Sequence, residues 1–320
     1  PTYFKLSFIG LYQYKYQYTF SFNETEFLSE ELIYYPFGQA RNLYKRIKDS
    51  GAGDIFDSWK IGDDLIFEGV GINNRILLLT LFGLAHPNPV LTKTYNYIKD
   101  QFKFFNTMNA SDLEQWYYEV GDTLSKKPLI KEQLKRLIAS VDTKIQSLEL
   151  EENIHTNIEN IEKAYEPIGI HKMFNSNQTA RLHFKEESRG TNMLYVLGGK
   201  ILEQLDKGGT MFIDEIDTSL HPRLAKFLVL LFQHPKSNPK NAQLIFTTHE
   251  TTFLDKNLFR REQIWFTEKD EYGQTELYSM QDFDKVREDT PFEKWYLAGK
   301  FGGLPDIKEL EFIFGDGEKN

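Results

Sequence analysis

Asp214, Glu215 and Asp217 close an apolar run, Met211-Phe212-Ile213, and precede the turn-like stretch Thr218-Ser219-Leu220-His221-Pro222. The apolar run reads as a buried strand. Ionised carboxylates at its carboxyl end are costly unless a cation or a reacting phosphate balances them. In an open α/β sheet that end of a strand is also where ligands bind. The chemistry these residues suit is therefore Mg²⁺ and nucleotide phosphate. Two further constellations have the matching character. Glu187-Ser188-Arg189-Gly190-Thr191 opens a helix expected from Asn192, where glycine permits close approach and a hydroxyl with helix-terminal amides can hold phosphate oxygens. Thr247-Thr248-His249-Glu250 ends a second apolar run, placing an imidazole that can donate to a γ-phosphate. Taken singly, Ser188 reads as an ordinary helix cap and His249 as an ordinary histidine. In this order and spacing, all three together indicate a nucleotide site.

The elements that must position these groups are visible as patterns. Tyr12, Tyr14, Tyr16, Tyr18, Phe20 and Phe22 alternate with polar residues at period two, between turns at Gly10 and Asn23-Glu24, and Phe4, Leu6 and Phe8 line a preceding strand. This ladder reads as a sheet face packed on a core rather than a base-stacking platform. A strand over Glu31 to Tyr35 stops at Pro36, and Asp49 to Asp54 reads as a turn. From Asn73 to about Glu152 the pattern is helical. Its stripes are Leu77, Leu78, Leu81 and Leu84; then Tyr95, Ile98, Phe102 and Phe105; then Leu134, Leu137, Ile138, Val141, Ile145 and Leu148. Ser111-Asp112-Leu113-Glu114 has capping-box spacing, and Glu149-Leu150-Glu151-Glu152 reads as a solvated helix end.

Strand character returns from Ile168 to Phe184 around a turn at Asn175-Ser176-Asn177. A helix follows over Asn192 to Leu205, then a turn at Gly208-Gly209, a helix over Pro222 to Phe232 and a hairpin from Gln263 to Thr267 with Glu276 to Tyr278. The alternation of strand and helix implies a parallel sheet in the second half of an α/β chain. The expected organisation is an antiparallel sheet over residues 1–72, a helical insertion or lid over 73–152, and the part bearing the three constellations over 153–320.

Composition narrows the function classes. At 320 residues the chain has room for a sizeable core. A net charge of −9 excludes a polybasic nucleic-acid or membrane binder, and leaves nucleic acid open as a partner only through a local groove. The absence of cysteine excludes disulfides and thiolate metal sites and fits the reducing cytoplasm. The longest apolar run, Ile76 to Ala85, is too short to span a bilayer. The last stretch is too short for a separate nuclease domain, and Asp282, Asp284, Glu288 and Asp289 read as surface charge.

On these residues the chain resembles the ATPase head of the ABC superfamily, in the branch shared with SMC, RecF and OLD-type proteins. Met211 to Glu215 resembles a Walker B strand, Glu187 to Thr191 a signature motif of the form Glu-Ser-x-Gly-Thr, Asp217 to His221 a D-loop, and His249 the switch histidine. The run Trp295 to Pro305 resembles the RloA-like AAA-type ATPases of bacterial defence systems. The resemblance implies an ABC-type head that uses ATP and Mg²⁺. Asp214 would hold the metal, Glu215 would polarise water, and His249 would sense the γ-phosphate. Ser188, Arg189 and Gly190 would face the nucleotide of a second subunit, and Asp217 would couple the two sites. It further implies a homodimer, an RloB-like or nuclease effector partner, and a role in anti-phage defence or DNA surveillance. A non-catalytic scaffold for a nuclease or toxin is the alternative.

Two departures stand out. Arg189 occupies a position that is glycine in the common signature. No Gly-x-x-x-x-Gly-Lys-Ser/Thr occurs, since Gly199-Lys200 and Gly299-Lys300 lack its other members. The chain starts at Pro1 within a strand-like pattern, so the expectation is that a preceding segment carries the first strand and P-loop, and that this chain alone is inactive.

Overall fold

The computed structural model describes residues 1–47, 60–61, 65–66, 75–84, 89–107, 109–141, 144–156, 161–175, 177–287 and 289–305. The turn expected over Asp49 to Asp54 and the charge of Glu288 lie outside them. The chain forms two compact units, Pro1–Lys103 and Phe104–Asn320.

In the first unit, β1 (Thr2–Ile9), β2 (Lys15–Phe22), β3 (Phe27–Tyr35) and β4 (Arg41–Ile47) form an antiparallel meander in that order. The short strands β5 (Lys60–Ile61) and β6 (Leu65–Ile66) pair with each other, and the helices α1 (Leu78–Leu84) and α2 (Pro89–Gln101) follow. The period-two ladder becomes register: Phe4 lies opposite Phe20, Leu6 opposite Tyr18 and Phe8 opposite Tyr16. Tyr16, Tyr18, Leu32 and Tyr44 bury against Leu78, Leu79, Phe82 and Leu91, so the aromatic face is a core face. Tyr12 departs from the ladder. It and Gln13 have positive φ in a turn closed by the Gly10 amide on the Tyr14 carbonyl (2.8 Å), because reversing the chain there needs a left-handed backbone.

Glu30 is fully buried in this core. Its Oε1 accepts from the Tyr18 hydroxyl (2.8 Å), the Tyr44 hydroxyl (2.7 Å) and the Leu79 amide (3.1 Å), and its Oε2 from the Leu78 amide (2.7 Å). Arg46 Nη1 stands 3.9 Å from Oε2. The carboxylate thus caps the start of α1, where free amides and the helix dipole favour negative charge. Burial, followed by the Glu30 charge, holds both tyrosines protonated well above the usual range.

The second unit is organised around α5 (Arg189–Lys207), which is buried without a break from Met193 to Ile201. Before it come the last residues of β7 (Phe102–Asn106), the helices α3 (Ala110–Lys126) and α4 (Pro128–Ser140), and the antiparallel sheet of β8 (Ile145–Thr156), β9 (Ile161–Lys172) and β10 (Thr179–His183). A Cβ on Gly198 would meet Leu137 Cδ2 at 2.9 Å, and one on Gly199 would meet Val120 Cγ1 at 2.5 Å, so these glycines let α4 and α3 close on α5. Gly199-Lys200 is therefore helix interior, with buried Lys200 bonded to Glu119, and not a phosphate loop. After α5, β11 (Thr210–Asp214), α6 (Pro222–Gln233) and β12 (Gln243–Phe246) make a strand–helix–strand unit with β11 and β12 parallel, in the sheet order β12-β11-β7. The hairpin of β13 (Trp265–Lys269) and β14 (Thr275–Ser279), with α7 (Phe292–Leu297), packs a small core around Phe266, Met280 and Phe301. The Trp295 to Pro305 run ends α7 and turns through Gly299, Gly302 and Gly303, all at positive φ.

Four expectations are corrected. The helical block over residues 73–152 is not one body: α1 and α2 belong to the first unit, whereas α3 and α4 pack on α5 in the second. The second stripe breaks at Gln101, and Phe102 and Phe105 lie in β7, where Phe105 packs edge-on to Trp116. The third stripe breaks at Ser140. Ile145 and Leu148 are both buried in β8, because a register shift between Ile145 and Ser147 turns strand spacing of two into an apparent helical spacing of three. Glu149 and Glu151 consequently face solvent on a strand, paired with Arg181 at 2.5 and 3.6 Å, rather than ending a helix.

Candidate functional site

β11 is buried through Ile213 and surfaces at Asp214. Glu215 then takes φ +53°, a conformation that non-glycine residues seldom adopt and that recurs at functional sites. Three bonds hold it there. The Glu215 amide donates to Thr247 Oγ1 (2.8 Å), and the fully buried Thr107 hydroxyl meets the carbonyls of Asp214 (2.8 Å) and Glu215 (3.1 Å). The Ile216 amide returns to the Thr247 carbonyl at 3.1 Å, so the end of β12 braces the bend in β11.

The side chains from the two strand ends interlock. Thr247 Oγ1 donates to Asp214 Oδ1 (2.6 Å) and Thr248 Oγ1 to Asp217 Oδ1 (2.5 Å). His249 Nε2 lies 3.5 Å from Glu215 Oε1, and Thr218 Oγ1 donates to Glu215 Oε2 (3.1 Å). His249 is 86% exposed and the Glu215 side chain 29%. The other carboxylate oxygen of Asp214 has no partner among the described residues. The open Asp214 oxygen is a hard donor of the kind Mg²⁺ takes, but among the described residues no three His, Asp or Glu side chains stand close enough to hold a metal by themselves, so such an ion would take its remaining ligands from phosphate and water.

Ser188 is the N-cap of α5, its Oγ accepting from the Thr191 amide (3.1 Å) and sharing a hydrogen with Thr191 Oγ1 (2.8 Å). Gly190 approaches the acidic loop: a Cβ there would stand 3.1 Å from the Ser219 carbonyl. Arg189 is exposed and makes no hydrogen bond or ion pair among the described residues. Asp214, Glu215, Asp217 and His249 thus form one cluster, and Gly190 adjoins its loop. Ser188 is bonded only within its own helix start.

Sequence reading left four contributors without a role. Thr107 reaches the site from 107 residues away, and no local pattern marks it. Thr247 and Thr248 were inside a recognised motif, but their bonds to Asp214 and Asp217 need the parallel pairing of β11 with β12. His171 on β9 holds Glu187, with Nε2 and Oε1 2.6 Å apart, immediately before Ser188.

A protein-family model described as "AAA domain, putative AbiEii toxin, Type IV TA system" matches residues 1–255. The chain belongs to this AAA family. An AAA domain is a nucleotide-binding ATPase domain, and the acidic cluster falls inside its matched span. Among solved structures, one from work on ATP-driven dimerization and DNA-stimulated activation of SMC ATPases aligns at TM-score 0.36 and 14% identity, covering 58% of this AAA chain and 99% of that one. An SmcHead bound to the C-winged helix domain of ScpA aligns at TM-score 0.36 and 12% identity, covering 84% of this chain and 76% of that one. No curated protein matches the chain. No helix among the described residues is long and apolar enough to cross a membrane.

Proposed function

We propose that this chain carries the metal-binding and water-activating half of an ABC/SMC-like ATPase site. The observation that supports it most is the joining of Asp214, Glu215 and Asp217 from β11 with Thr247, Thr248 and His249 from β12 at one end of a parallel pair. In this reading Asp214 holds Mg²⁺, which when bound neutralises phosphate charge. Glu215, kept at its bend by Thr107 and Thr247, takes a proton from the attacking water. His249, beside Glu215, donates toward the γ-phosphate. Most of the rate enhancement comes from positioning and charge, as in phosphoryl transfer generally.

A phosphate-binding loop is still required. Among the described residues β12 is the edge of its three-stranded sheet, so a further strand pairing there would bring such a loop beside Asp214. Ser188 and Gly190 serve the nucleotide of a second copy, with Asp217 coupling the two sites, which makes the working form a homodimer. The resemblance in the sequence extends this reading to anti-phage defence or DNA surveillance in the cytoplasm, with an RloB-like or nuclease effector. The second reading, a scaffold without turnover, is the one a full-length protein holding no Gly-x-x-x-x-Gly-Lys-Ser/Thr would favour.

The deciding experiment is Glu215→Gln in the full-length protein. The ATPase reading expects turnover to fall about 10²–10⁴-fold, the usual contribution of a general base, while dimers accumulate in ATP. Unchanged turnover with no such dimers overturns the role of Glu215. No turnover in the parent protein itself supports the scaffold.

A further inference from the structure

Glu187 stands one residue before Ser188, at the entry of α5, and the nucleotide reading gives its carboxylate no task. A negative charge there is awkward for that reading. The free amides of a helix start favour an anion, so an uncommitted Glu187 would compete for them and repel a phosphate brought to Ser188 and Gly190. The fold commits the carboxylate elsewhere. His171 Nε2 on β9 lies 2.6 Å from Glu187 Oε1. A carboxylate only accepts, so the imidazole nitrogen donates. Both groups are largely withdrawn from solvent, with the His171 side chain 22% exposed and that of Glu187 10%.

Two features make the pair a tether rather than a passing contact. The first is the floor beneath it. Gly169 shares a face of β9 with His171, and a Cβ there would stand 3.0 Å from Glu187 Oε1 and 3.1 Å from His171 Nε2. A larger residue would press on both partners, so the glycine makes room for the bond. That floor is also fixed. β9 is the central strand of its sheet, and His171 lies opposite Ala180 of β10 on one side and Ile145 of β8 on the other.

The second feature is that nothing else does the same work. Glu187 donates its amide to the Phe184 carbonyl (3.0 Å), Ser188 bonds Thr191, and Asn192 Nδ2 reaches back to the carbonyls of Glu187 and Ser188 (3.2 Å each). These bonds all lie within residues 184–192. Among the described residues, His171 makes the one hydrogen bond that reaches Glu187–Thr191 from outside that stretch and α5 itself.

We propose that His171 is a positioning residue for the Glu-Ser-x-Gly-Thr segment. By holding the Glu187 carboxylate on β9, it fixes the entry of α5 and keeps that charge away from the groups Ser188 and Gly190 present. This role rests on the reading in which Ser188 and Gly190 serve the nucleotide of a second copy. The tether itself does not.

The test compares His171→Ala with His171→Gln, whose amide nitrogen can donate to the same oxygen, in the full-length protein. Without nucleotide, amide exchange at Glu187 and Thr191 should quicken about tenfold or more in His171→Ala, while Leu197–Ile201 in the middle of α5 keep their rates. His171→Gln should return both amides to within about threefold of the parent. With ATP, in the Glu215→Gln background, His171→Ala should weaken dimerisation about tenfold and His171→Gln should restore it. ATP affinity of the separated monomers should not change, because Ser188 acts across the dimer. Unchanged exchange at Glu187 and Thr191 overturns the tether, as does exchange quickened equally along α5 or left unrestored by His171→Gln. Equal dimerisation with and without His171 overturns its positioning role. If the Glu215→Gln protein forms no dimers in ATP, the nucleotide reading is what fails, and the exchange rates still decide the tether.

Discussion

The molecule sets carboxylates against the ends of secondary-structure elements in two places, Glu30 at the start of α1 and Asp214 with Glu215 at the end of β11, and the two are built on opposite principles. In the first unit, Glu30 is fully buried and saturated: two tyrosine hydroxyls and two amides donate to it, and Arg46 stands close by. In the second, Asp214 and Glu215 surface at the end of a buried strand and receive threonine hydroxyls, with valence left over on Asp214. A carboxylate whose donors all come from its own fold fixes that fold and can do little else. One held by its backbone, with open oxygens, is arranged for something that arrives later. The backbone tells the same story, since Glu215 is kept at positive φ by bonds from two other segments.

Mutation separates the two groups. The largest effect should come from Glu30→Ala, which strands two amides, two hydroxyls and a nearby guanidinium in the core. It should cost about 3–5 kcal/mol of stability, the range for breaking a buried charged pair, measured by denaturant unfolding. A cost below about 1 kcal/mol would erase the contrast. Thr107→Val comes next. It leaves the Asp214 and Glu215 carbonyls without their buried donor and should cost about 1–3 kcal/mol, with the bend at Glu215 loosened in hydrogen exchange.

Titration reaches the two tyrosines that hold Glu30. Burial, then the Glu30 charge, raises the folded-state ionisation of Tyr18 and Tyr44 above that of an ordinary phenol. Their contribution to stability is therefore complete below about pH 10 and is lost as the pH rises beyond it, because the unfolded chain ionises first. Thermal unfolding between about pH 8 and 11.5 should show this decline, and Tyr18→Phe should flatten it. The smallest effect belongs to Asp214→Asn, which should change stability by no more than about 0.5 kcal/mol because the group is exposed. On the proposed function it nevertheless abolishes Mg²⁺-dependent nucleotide binding, measurable by calorimetry. A large stability loss in Asp214→Asn would make that carboxylate structural, like Glu30.

Sequence patterns exposed some of this architecture and concealed the rest. β11, the start of α5 at Ser188 and the end of β12 were legible because each is a local event: an apolar run, a cap spacing, a run ending in hydroxyls and a histidine. β8 was concealed because its register shift imitates helical spacing. β7 was concealed because its Phe102 and Phe105 continue the stripe of α2. Glu30 had no signal, being one acid beside another in a strand, with only tertiary partners to distinguish it.

By itself the sequence determined which residues carry charge at strand ends, in what order the constellations come, and that the second half alternates strand and helix around a parallel pair. Tertiary structure alone decided that Thr107 and Thr247 brace the bend at Glu215, that Asp214 keeps an open oxygen, and that Thr248 bonds Asp217. The physical reason is range. Capping and burial of a run are settled within a few residues, whereas these bonds join segments far apart in the chain, as Thr107 and Asp214 are, and exist only once packing has fixed both ends.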